Sequence, residues 1–136
     1  MSESVIDLFQ EYHSRIEEFL KFDELNMKEA QMTLPAVRHY WVGRLMFHKQ
    51  QIIKLKKAKE KAERMIRQKL QDESPVLLNP KTVATSIEGH EVIQKINEDI
   101  VNHELLVEYL TKVESNFRDA QYGMNNLTKI ITLETT

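Results

Sequence analysis

The sequence predicts an all-α fold: a long antiparallel helical hairpin preceded by a short N-terminal helix. Three observations predict it. Residues 36–72 and 87–132 each carry apolar side chains at alternating spacings of three and four, the period of a helix face. The chain holds only three Gly and three Pro in 136 residues, so breakers are rare and punctuate it cleanly. It has no Cys, which removes disulfides, thiol nucleophiles and thiolate metal sites, and 29% of its residues are charged. A length of 136 residues is that of one domain.

The first helix is expected over residues 4–25. Val5, Phe9, Tyr12, Ile16 and Phe19 recur at spacings of 4, 3, 4 and 3, an amphipathic stripe, and the other face carries Glu11, Arg15 and Glu18. That polar face is acidic where a lipid-surface helix would be basic, which argues against a membrane role. A connector over 26–36 contains Pro35, which disfavours helix at Leu34 and suits the first turn of the next helix.

The helix over 36–72 has its own apolar seam. Trp41, Leu45, His48, Ile52 and Leu55 keep the 4-3-4-3 spacing, Ala62, Ile66 and Leu70 continue it, and Lys59 interrupts it. Trp41 reads as a buried anchor and His48 as a hydrogen-bonded core histidine rather than a metal ligand. Residues 73–86, with Pro75 and Pro80, read as a loop, and Thr85 with Glu88 as a capping box for the last helix. That helix, 87–132, would be about 65 Å long if straight. Ile93, Ile96, Ile100, His103, Val107 and Leu110 line its seam, and Phe117, Met124 and Ile131 continue it at intervals of seven. Gly123, followed by Asn125 and Asn126, is expected to bend it. Apolar residues outside the seams, among them Phe47, Ile53, Leu105 and Leu127, point to packing between subunits, with Ile100, Leu106, Leu110, Phe117 and Met124 as the expected oligomerisation residues.

Charge gives the functional signal. Between Arg38 and Lys69 stand eleven Lys or Arg and two acids, a balance of nine positive charges, while the rest of the chain holds eight bases and nineteen acids. A near-neutral total therefore hides a basic helix in an acidic body, and a polyanionic or acidic partner is implied. Lys54, Lys57, Lys61 and Arg64 are spaced 3, 4 and 3 and share one face over about 15 Å; Arg67 follows. Like charges so placed repel by a few tenths of a kcal/mol per pair, a term that a phosphate backbone reverses. The ordinary alternative is a solvated lysine-rich surface, but the acids that normally pair such lysines are mostly missing. The candidate polyanion-binding residues are thus Lys54, Lys57, Lys61, Arg64 and Arg67, which the resemblance given below makes the expected DNA-binding residues.

Five isolated histidines, three isolated glycines and solvent-facing carboxylates form no catalytic constellation, so no enzyme activity, metal or cofactor is expected. No apolar run is long enough to span a membrane, and Ser2, Glu3 and Ser4 stand where a signal peptide carries bases, so a cytoplasmic location is expected.

From Pro35 through Val37 to Trp41, and again at Leu106-Val107-Glu108-Tyr109-Leu110, Phe117-Arg118 and Tyr122-Gly123-Met124, the chain resembles the UvsY family of recombination mediators of T-even-type phages. The resemblance covers roughly residues 25–133, with Arg64 where the family has a DNA-contacting base. It departs at Ile66, Ala120 and Asn125, where the family has bases. It implies a non-enzymatic homo-oligomeric ring, hexamer or heptamer, that binds single-stranded DNA and promotes loading of a RecA-like recombinase in place of single-strand-binding protein, in the host cytoplasm. The rival reading from another class is a coiled-coil scaffold or assembly chaperone whose basic helix meets an acidic protein partner; a membrane-surface adaptor is the third.

Overall fold

The computed structural model spans residues 1–136 and describes all but 1–2, 22–24, 75 and 136, together with the side chains of 3, 4 and 135. The described residues form four helices: α1 (Glu3–Leu20), α2 (Met27–Glu73), α3 (Pro80–Glu88) and α4 (Glu91–Thr135). None is long and apolar enough to cross a membrane. The chain divides into two compact units, Met1–Phe47 with Leu106–Thr136, and His48–Leu105.

In the first unit, α1 contributes Tyr12 and Ile16, α2 contributes Met27, Leu34 and Trp41, and α4 contributes Leu106, Leu110, Val113, Phe117 and Met124 to one buried cluster. The α4 members are spaced 4, 3, 4 and 7, so the helical period alone puts them on one side. Polar ties set the register. Arg38 donates to Glu114 Oε1 at 2.6 Å and to Gln121, and Gln31 donates to Thr128 Oγ1 at 2.8 Å. Lower numbers on α2 meet higher numbers on α4, so the two run antiparallel there. Tyr12 meets Trp41 edge-on at 5.1 Å and its hydroxyl accepts two bonds from Arg44, at 2.8 and 3.0 Å.

In the second unit, Val83 and Ile87 of α3 and Ile93 of α4 pack with Ala62, Ile66 and Leu70 of α2 and with Leu78. Here too α2 and α4 are antiparallel, His48 bonding to His103.

Several expected boundaries move. The second helix begins at Met27, nine residues before the expected start, and Pro35 lies inside it. Proline removes one backbone donor, but burial of Met27 and Leu34 and the Gln31–Thr128 bond hold the turns before it. The first helix ends at Leu20, and residues 22–24 of its expected end lie outside the described residues. The stretch expected as a loop contains α3, because Pro80 is at the start of a helix, where its missing N–H costs nothing, and Asn79 caps it, accepting from the Lys81 N–H at 2.9 Å. Thr85 is accordingly within α3, donating to the Lys81 carbonyl at 2.9 Å rather than capping α4. The N–H of Val92 is taken instead by His90 Nδ1 at 3.2 Å.

The last helix passes through Gly123 without a break. A Cβ added there would meet nothing within 4 Å. Gly123→Ala is therefore expected to stabilise the protein by about 1 kcal/mol through helix propensity, measured as a raised denaturant midpoint.

Candidate nucleic-acid interface

Burial fixes the rotation of α2 in the second unit. Ala62, Ile66 and Leu70 are held against Val83, Ile87 and Ile93. With 100° per residue, Lys54, Lys57, Lys61 and Arg64 then fall on the opposite side, and all four are exposed. None of them forms an ion pair among the described residues; the ion pairs that α2 bases do form are Arg38–Glu114 and Lys69–Glu73. The face is thus a row of four cations without ion-pair partners among the described residues, suited to a polyanion whose charges repeat along a line. Arg67, exposed as well, is turned about 60° away from Arg64 and lines a groove between the end of α2 and α3. Lys59, which interrupts the seam, is half-buried. No aromatic residue lies between Lys49 and Lys69, so the row offers charge without a stacking platform.

The residues expected at subunit contacts serve burial within the single chain. Ile100, Leu106, Leu110, Phe117 and Met124 are buried within the single chain, Phe117 at 0% exposure, and all but Ile100 belong to the core of the first unit. Their regular spacing reported the intrachain core. The exposed apolar residues are others, among them Met32, Tyr122 and Leu133 in the first unit and Ile53, Met65 and Val101 in the second.

Trp41 is buried, as its position in the seam predicts, and its Nε1 has no partner among the described residues. Around it lies an arrangement that sequence reasoning missed. The Arg15 guanidinium sits over Tyr40 and Trp41 at 5.1 and 5.4 Å, and that of Arg44 over Phe47 and Tyr12 at 4.5 and 5.8 Å. The signal for part of it was the spacing of three between Arg44 and Phe47, which makes them neighbours on the helix surface.

His48 is buried and hydrogen-bonded, as expected, and its partner is another seam histidine: the two Nδ1 atoms are 2.9 Å apart. One ring must donate and the other accept, so the pair cannot keep this bond with both rings charged. Burial pushes His103 below the ordinary histidine range, against the opposing charge of Asp99. A histidine depressed in the folded state binds its proton more readily when unfolded. Its contribution to stability is therefore full above the unfolded value near 6.5 and is lost as pH falls through the folded value. Melting temperature is expected to drop between about pH 7 and pH 5, and His103→Gln to flatten that drop. An unaltered profile in the variant would place the acid sensitivity elsewhere. No group of three or more potential ligands for a metal occurs among the described residues.

No known family profile matches the chain, and no curated protein matches it by sequence. Solved structures do match. A crystal structure of the bacteriophage T4 recombination mediator protein UvsY in lattice type IV superposes with a TM-score of 0.78 and 7% identity, covering 92% of this chain and 97% of that one. Another, in lattice type II, gives 0.75 and 9% identity, covering 93% and 97%. Nearly the whole of both chains is aligned at a similarity that sequence identity would not reveal: this protein has the fold of the bacteriophage T4 recombination mediator UvsY.

Proposed function

We propose that the protein is a non-enzymatic recombination mediator. It binds single-stranded DNA along the exposed face of α2 and promotes loading of a RecA-like recombinase in place of single-strand-binding protein. The observation that carries the reading is the row of unpaired bases at Lys54, Lys57, Lys61 and Arg64, opposite a buried face, on a chain with the fold of UvsY. Phosphates are met by point charges, and the absence of aromatic rings along the row makes binding indifferent to base identity.

One row reaches about four phosphates, which holds DNA weakly at physiological salt. Assembly into a homo-oligomer, a hexamer or heptamer as the sequence resemblance implies, makes later contacts intramolecular and raises affinity by about 10² or more. The subunit contacts then use exposed apolar residues, since the core residues of α4 are already occupied.

The test is filament assembly by a RecA-like recombinase on single-stranded DNA coated with single-strand-binding protein. The protein is expected to shorten the lag before assembly. A lag that is unaltered at saturating protein overturns the mediator role, whatever the DNA affinity.

A further inference from the structure

The end of α2, Ser74, the residues from Val76 to Leu78, and α3 line a groove of about 770 Å³ in the second unit that the row from Lys54 to Arg64 does not use. Val83, which is buried, and Ala84, Val76 and Leu77 are among its lining residues. Val76 is 70% exposed and Leu77 fully exposed, an unusual cost for two large aliphatic side chains side by side. The walls are held in place. Ser74 Oγ donates to the Val76 carbonyl at 2.8 Å, and the Asn79 cap fixes the start of α3. A preformed apolar groove of this size is the usual form of a binding site.

Charge decides what fills it. Both acids at the end of α2 are engaged with their own helix: Asp72 accepts from Gln68 at 2.9 Å, and Glu73 pairs with Lys69 at 4.0 Å. Arg67 lines the groove and has no partner among the described residues. The occupant must therefore offer apolar side chains to Val76 and Leu77 and a carboxylate to Arg67. Nucleic acid fits poorly, because the groove offers a single cation, Arg67, among mainly aliphatic side chains.

The geometry points to a docking site for an acidic, apolar peptide segment of a partner protein: one or two large apolar side chains seated against Val76, Leu77 and Val83, with a neighbouring Asp or Glu paired to Arg67. Arg rather than Lys suits this role, since its planar fork binds a carboxylate through two parallel bonds.

The experiment uses the full chain without DNA, so its result is independent of the mediator reading. A fluorescein-labelled ten-residue peptide of Leu, Phe and Asp is titrated by fluorescence anisotropy. One control replaces Asp with Lys, another replaces Leu and Phe with Ser. The parent is expected to bind the first peptide at least about tenfold more tightly than either control. Leu77→Ser, at a fully exposed position that cannot disturb the core, is expected to cost about tenfold. Arg67→Glu is expected to reverse the preference in favour of the Lys peptide. Equal binding of the Ser control would reduce the effect to bulk attraction by a basic helix and overturn the site. So would an unreversed preference in Arg67→Glu, or self-association of the parent that Leu77→Ser abolishes, which would give the groove to a second copy.

Discussion

Phe117→Asp is expected to leave no cooperatively folded protein. Phe117 has no solvent exposure and lies among Tyr12, Trp41, Leu110 and Val113. Removing its ring forfeits about 3–5 kcal/mol, and an unpaired carboxylate in its place costs several more. Domains of this size have only about 5–15 kcal/mol in total. Circular dichroism should show lost helicity with no sharp denaturant transition, whereas Phe117→Leu should retain one, shifted by about 1–2 kcal/mol. A parent-like transition in Phe117→Asp would mean that the side chain reaches water, contradicting the packing of the first unit. The result also separates intrachain from intersubunit burial. A residue used only between subunits would yield a folded, dissociated chain.

The second large effect concerns DNA. The triple variant Lys54→Ala, Lys61→Ala, Arg64→Ala is expected to lose at least about 100-fold in affinity for single-stranded DNA at moderate salt, with helicity intact because all three are exposed. A matched triple, Lys49→Ala, Lys56→Ala, Lys69→Ala, changes net charge equally but lies off the row. It is expected to lose far less. Equal losses would mean that bulk charge attracts DNA and the row has no special place.

Much of this was legible in the residues. The seams of both long helices follow from a three-four period that burial enforces; Trp41, His48 and Phe117 are buried where the period puts them. The basic face was legible for the same reason, since a helix with one buried side leaves the other defined. What sequence could not show had two causes. Proline is ambiguous: Pro35 is carried inside α2 by packing on both sides of it, and Pro80 opens α3 rather than ending one, because Asn79 precedes it. Regular apolar spacing is ambiguous as well. Ile100, Leu106, Leu110, Phe117 and Met124 have the pattern of a subunit contact, yet within one chain they are buried. Period reveals which side is covered, not what covers it. The fold likeness at 7–9% identity makes the same point from the other direction, since the fold persists where side-chain identity does not.

The central claim is that phosphates are held by the row of cations on α2. The measurement that tests it most directly is the salt dependence of affinity for an unstructured oligonucleotide, compared between the parent and the Lys54, Lys61, Arg64 triple variant. Each phosphate contact contributes about 0.7 to the slope of log affinity against log salt. The slope should therefore fall by roughly 2 for each subunit that touches the strand, and to the same extent on oligonucleotides of different base composition. A triple variant with lower affinity but the parent's slope would contradict the account, because contacts would then have been lost without phosphates being released.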